Sequence, residues 1–198
     1  MNYKMDRPEG RRVVKYDDRN AYVELVNQPL YDRKQVVASA TQNILFFKNL
    51  SGSTLLDTNL TVDGMLPTPQ AFSCYGLAAF VQQGVPEADL VKLVNESSIE
   101  FRLSNKPYLQ CPFHLVPSPG GLRGFAALDA QAAPTSIFQA QNGAGFLGFL
   151  PLDIDGDPIH LVSQQDFVCV LSTHNSAAFS TAFYVTMYLM GVLYRPVL

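Results

Sequence analysis

The sequence predicts an all-β fold: an antiparallel sandwich of about eight strands with one short helix, behind a charged N-terminal arm. Three observations predict it. Short apolar runs recur at strand length, separated by Pro, Gly, Asn, Asp and Ser. Helical periodicity is confined to one segment, so the repeated crossovers of a parallel α/β fold are missing from the pattern. Charge is divided unevenly: the first 34 residues carry 14 charged side chains, and the other 164 carry 17.

The elements follow in order. Residues 1–35 read as the arm, with eight basic and six acidic side chains, and residues 36–198 as the sandwich domain. Residues 42–48 form a compact apolar run that stops at the Ser51-Gly52-Ser53 turn. Residues 72–81 form a second run, approached through Pro67 and Pro69. The helix is expected at residues 86–95. Pro86 suits its first position, Glu87 and Asp89 suit the positive end of its dipole, and Leu90, Leu93 and Val94 make one apolar stripe. Residues 98–103 alternate cleanly, with Ile99, Phe101 and Leu103 on one side and Glu100 and Arg102 on the other. Residues 108–116 continue as a strand up to a Pro/Gly cluster. Residues 121–145 read as a long loop with a short strand near Ile137. Residues 146–154 and 159–162 flank a hairpin turn at Asp155-Gly156-Asp157. Residues 167–171 and 183–194 close the chain as two strong strands.

Composition narrows the function classes. The net charge is -3, made of an arm at +2 and a body at -5. No basic cluster with interleaved aromatics suggests a nucleic-acid face. A body this poor in charge is expected to cover surface with other copies of itself. Cys74, Cys111 and Cys169 have no metal-ligand spacing and are odd in number, so buried free thiols are expected. No secretory signal is recognised, so the glycosylation patterns at Asn49, Asn59 and Asn95 are read as chance. Residues 175–194 carry no charge and are long enough to span a membrane, but their Ser, Thr, Tyr and β-branched content reads as strand.

Motifs for chemistry are weak, and no catalytic, cofactor-binding or metal residue is assigned. Gly143-Ala144-Gly145-Phe146-Leu147-Gly148 matches the dinucleotide fingerprint as a string. That mechanism needs a helix next, and Pro151, Gly156 and Pro158 oppose one. Asp153-Ile154-Asp155-Gly156-Asp157 starts like a calcium loop, but position six is Pro158 and position twelve is Gln164. His114, His160 and His174 are scattered, without the paired spacing of a β-barrel metal site. Phe46, Phe47, Phe72, Phe101, Phe113, Phe146, Phe149, Phe167, Phe183, Tyr184, Tyr188 and Tyr194 are read as core filling. Phe46 and Phe47 are neighbours and cannot both point inward from one strand, so one is expected to meet the arm or a partner.

The order of parts resembles viral jelly-roll capsid proteins, in particular the single jelly-roll proteins of icosahedral bacteriophages. The residues that carry the resemblance are Gly64 to Pro69 before the second strand, the 99–103 strand running into Asn105-Lys106-Pro107-Tyr108, and the closing pair at 163–168 and 184–195. The resemblance covers residues 36–198 by architecture. It implies a single jelly roll in a non-enzymatic, self-assembling virion protein. Its partners would be other copies of itself, as trimers or pseudo-hexameric capsomers, and other virion proteins. The arm would reach a neighbour, lipid or genome, and its removal over residues 1–34 would leave the body folded. Two alternatives stand beside it. One is a decoration, spike or carbohydrate-binding module, which exposed aromatics on one face would favour. The other is a β-barrel metalloenzyme, which converging histidines would favour.

Overall fold

The computed structural model describes residues 13–16, 21–116, 122–126, 136–140 and 148–196. The strands before the helix are β1 (Val13–Tyr16), β2 (Ala21–Asn27), β3 (Leu30–Val36), β4 (Thr41–Phe46), β5 (Ala71–Val81) and β6 (Val85–Pro86). Helix α1 (Glu87–Asn95) follows. Then come β7 (Ser97–Leu103), β8 (Lys106–Pro112), β9 (Leu122–Ala126) and β10 (Ser136–Ala140). The chain closes with β11 (Leu150–Pro151), β12 (Ile159–Leu161), β13 (Phe167–His174) and β14 (Phe183–Pro196).

Two antiparallel sheets form a sandwich-like arrangement. The larger is built on β5 and β14, whose register runs from Val185↔Val81 to Tyr194↔Ala71. Both strands are long enough to take two partners on their outer sides. The first half of β14 pairs with β3 and its last residues pair with β2, while β5 pairs with β11 and β12. The smaller sheet has the order β4-β13-β7-β8. A further small sheet joins β10, β9 and β6.

Alternation fills the space between the sheets. In β7 the side chains of Ile99, Phe101 and Leu103 are buried, and Arg102 is exposed. In β14 the inward row is Phe183, Val185, Met187, Leu189 and Leu193. Among the described residues eight phenylalanines are buried: Phe46, Phe47, Phe72, Phe101, Phe113, Phe167, Phe179 and Phe183. Burying each such ring is worth about 1.5–3 kcal/mol, and this supplies most of the drive for the two sheets to associate.

Helix α1 bears out the expected segment, with Pro86 as the residue before its first turn. Leu90 and Leu93 are buried. Asp89 does more than suit the dipole. It is buried and accepts hydrogen bonds from Ser180 N–H (2.9 Å), Ser180 Oγ (2.6 Å) and Thr181 N–H (3.2 Å), tying the helix to the approach to β14.

Several expectations change. Phe46 and Phe47 are both fully buried. Strand β4 ends at Phe46, and Phe47 has φ +67°, so the alternation that would expose it no longer applies. Its ring packs on Phe167 at 5.5 Å. Tyr184 and Tyr188 leave the core list and face outward, because their neighbours Phe183, Val185, Met187 and Leu189 take the inward row. The run at 108–116 is a strand only to Pro112, and Phe113–Leu115 turns into a 3-10 helix. A strand near Ile137 is present as β10, whereas β9 was not expected. Finally, β2 and most of β3 fall within the span given to the arm, yet they are integral to the larger sheet. No described helix is long and apolar enough to cross a membrane, and most of residues 175–194 forms β14.

Candidate functional site

The outer face of the larger sheet carries an open cleft of about 540 Å³. The register builds it. Tyr188 stands opposite Tyr31 on β3 and Ala78 on β5; Thr186 stands opposite Arg33 and Phe80. Tyr31 and Tyr188 approach with ring centroids 6.2 Å apart. The Arg33 guanidinium lies 4.0 Å over the Tyr184 ring, a cation–π contact. Gln82 and Gln83 follow β5 and close one side.

The other wall is the segment after β4. It runs along the free side of β3, with Arg33 N–H bonded to Asp57 C=O at 2.7 Å and a bridge between Asp32 and Thr58. Tyr31 donates its hydroxyl to Leu55 C=O. Leu55 and Leu56 are exposed at the rim, at 76% and 73%. The sheet edge is thus covered, and the cleft is bounded by side chains.

Beneath this wall lies Asp32, which is fully buried. Its Oδ2 accepts from Phe47 N–H at 2.6 Å and is 3.4 Å from Lys34 Nζ, while Oδ1 has no hydrogen-bond partner. Burial pushes this carboxyl up, against the pull of the Phe47 N–H and the Lys34 ammonium, to about 6.

A second polar group sits where β12 joins β5. Ser73 Oγ is 3.0 Å from His160 Nδ1 and 3.1 Å from the Tyr194 hydroxyl. His160 Nε2 is 3.8 Å from Asp157 Oδ1. The set has the residue types of a nucleophilic triad but not its working geometry. Ser73 is fully buried, and Asp157 is too far to orient the ring by a hydrogen bond. Its role is to fasten β12 to the centre of the sheet.

Residues 143–147 of the glycine-rich string lie outside the described residues, and Gly148 leads into β11 rather than into a helix. The acidic string is a tight hairpin: Ile154 and Asp157 exchange both backbone hydrogen bonds across Asp155 (φ +54°) and Gly156 (φ +82°). His114, His160 and His174 stand on the 3-10 helix, β12 and β13. Among the described residues no group of three His, Cys, Asp or Glu side chains is placed to hold a metal ion. Cys74 and Cys169 are free and fully buried, and Cys111 is half-buried. Burial pushes the Cys74 thiol up to about 12, so it is an unreactive part of the core.

The cleft was not found from sequence. Its signal was present in part, as the every-second-residue spacing of Tyr184, Thr186 and Tyr188. The contributions of Tyr31, Arg33, Leu55 and Leu56 depend on strand pairing across long separations. Compared with family models, with curated proteins and with solved structures, the chain matches none.

Proposed function

We propose that this chain is a virion structural protein: a single jelly-roll subunit that self-assembles into capsomers of an icosahedral shell. The observation that carries the reading is the strand order. Setting aside β1 and β2, which extend the larger sheet beyond the last residues of β14, and taking β11 and β12 together as one position, the larger sheet runs β3-β14-β5-β12 and the smaller β4-β13-β7-β8. Eight positions thus divide equally, and the chain crosses between sheets at every step except the β7–β8 hairpin. This order supports reading the sandwich as a jelly roll of two Greek keys, an architecture used by viral shells, lectins and cupins. Within that set, the charge-poor body favours a shell subunit, because such surface is best covered by neighbouring copies. The cupin-like reading lacks converging histidines among the described residues.

In this reading the smaller sheet's edges, β4 and β8, and the charged N-terminal segment meet neighbouring subunits. The role is binding and assembly, without catalysis, and the location is the virion. Sedimentation of the intact chain over a range of concentrations tests it. Discrete oligomers that persist on dilution support a capsomer. A single monomeric species at every concentration opposes one.

A further inference from the structure

The cleft on the larger sheet carries a feature the assembly reading does not use. Most described basic side chains have a carboxylate partner: Lys34 with Asp32, Lys48 with Asp166, Lys92 with Asp89, Arg102 with Glu100 and Arg195 with Glu24. Arg33 has none. It is half-buried, its guanidinium lies on Tyr184, and no side-chain hydrogen bond engages its donors. The nearby carboxylate of Asp57 is bound instead by the Thr54 N–H and hydroxyl, at 3.0 and 2.8 Å. No Asp or Glu lines the cleft.

We propose that this cleft binds an acidic saccharide, an oligosaccharide with a carboxylate on one ring. An unengaged guanidinium fork matches a carboxylate in two parallel hydrogen bonds. Tyr31, Phe80 and Tyr188 supply aromatic surface for the apolar C–H face of a sugar ring, while the Tyr184 ring holds the guanidinium in place. Gln82 is set to meet hydroxyls. Its Oε1 is held by Tyr184 N–H at 3.1 Å, which leaves its amide N–H donors for a ligand. The volume, about 540 Å³, suits a small ligand.

Two other occupants fit less well. A peptide added as a strand needs a free sheet edge, and the segment bearing Asp57 and Thr58 already takes the free side of β3. A second copy docked with its two-fold axis through the cleft would set Arg33 near Arg33, with no carboxylate lining the cleft to relieve them.

The test is binding of the intact protein, by saturation-transfer NMR and calorimetry, to a panel of sialylated and uronic-acid oligosaccharides, with 3′-sialyllactose and trigalacturonate as the first probes. Lactose and a triglutamate peptide serve as controls. An acidic oligosaccharide should bind at least tenfold more tightly than lactose and than the peptide. Arg33→Gln should lose at least tenfold, and Tyr184→Ala should weaken binding without changing the oligomeric mass. Circular dichroism of each variant separates lost binding from lost folding, and Gln82→Ala replaces any variant that fails to fold. The proposal is overturned if no acidic oligosaccharide in the panel binds at millimolar concentration, if Arg33→Gln binds as well as the parent, or if triglutamate binds equally well. Protection of Tyr184 by self-association would also overturn it, in favour of a second copy.

Discussion

At the scale of single residues, Asp32 and Phe47 explain one another. A bulky residue with positive φ is strained. Here the turn it makes sends Phe47 into the core and presents its N–H to a buried carboxylate. Asp32 carries a cost that depends on pH. Its folded pKa is raised from 3.8 to about 6, so its contribution to stability is full below 3.8 and is lost as the pH rises through 6. The difference corresponds to about 3 kcal/mol. Asp32→Asn keeps an acceptor for Phe47 N–H and removes the charge. Denaturant unfolding of parent and variant between pH 4 and 7 should show the variant gaining relative stability as pH rises. Parallel curves would refute the assignment. Gly191 gives a second residue-scale expectation. A Cβ there would come 2.1 Å from Ser73 C=O and 2.5 Å from the Phe72 ring, at the irregularity between Met190 and Gly191. Gly191→Ala should cost about 2–3 kcal/mol in chemical denaturation, since the obstacle is strand backbone. Neither site was legible in the sequence. Asp32 occupies an inward position in an otherwise plausible strand, and its charge disguised the pattern there.

At the scale of elements, β7 and β14 were the most legible, because inward apolar residues alternate with outward ones along them, and β13 because Phe167 to Leu171 is an unbroken apolar run of strand length. The last strand offers a sharp comparison of neighbours. Leu189 is fully buried, whereas Tyr188 faces the cleft. Leu189→Asp should destabilise by more than about 4 kcal/mol and prevent folding, through an unpaired buried charge. Tyr188→Asp should stay folded and lose about 1 kcal/mol of packing. Thermal melts of the two would settle the matter, and similar melting temperatures would contradict the β14 register. The N-terminal strands were the least legible. In β3 the inward positions begin Leu30 and Asp32 and end at Val36, so two charges in succession hid a strand that long-range pairing to β14 stabilises. The cleft was hidden for a related reason: its parts meet only after β3, β5 and β14 are aligned.

At the scale of the molecule, the uneven distribution of charge does not coincide with a boundary between arm and body. The segment from residue 21 to 36 belongs to the sheet, so a deletion test must stop earlier. Removing residues 1–20 should leave a folded protein, because β2 still pairs with β14. Removing residues 1–34 should abolish cooperative unfolding, because it takes Leu30 and Asp32 from the interior. Circular dichroism melts of both truncations check this, and a well-folded 1–34 deletion would count against it. The fold class was readable from strand spacing, while the division of strands between sheets required the structure. Self-assembly is the central claim, and the mass of the native full-length protein, by light scattering with negative-stain imaging of the same fraction, tests it most directly. The account predicts trimers, rings or shells. A monodisperse monomer that stays soluble at high concentration would contradict it.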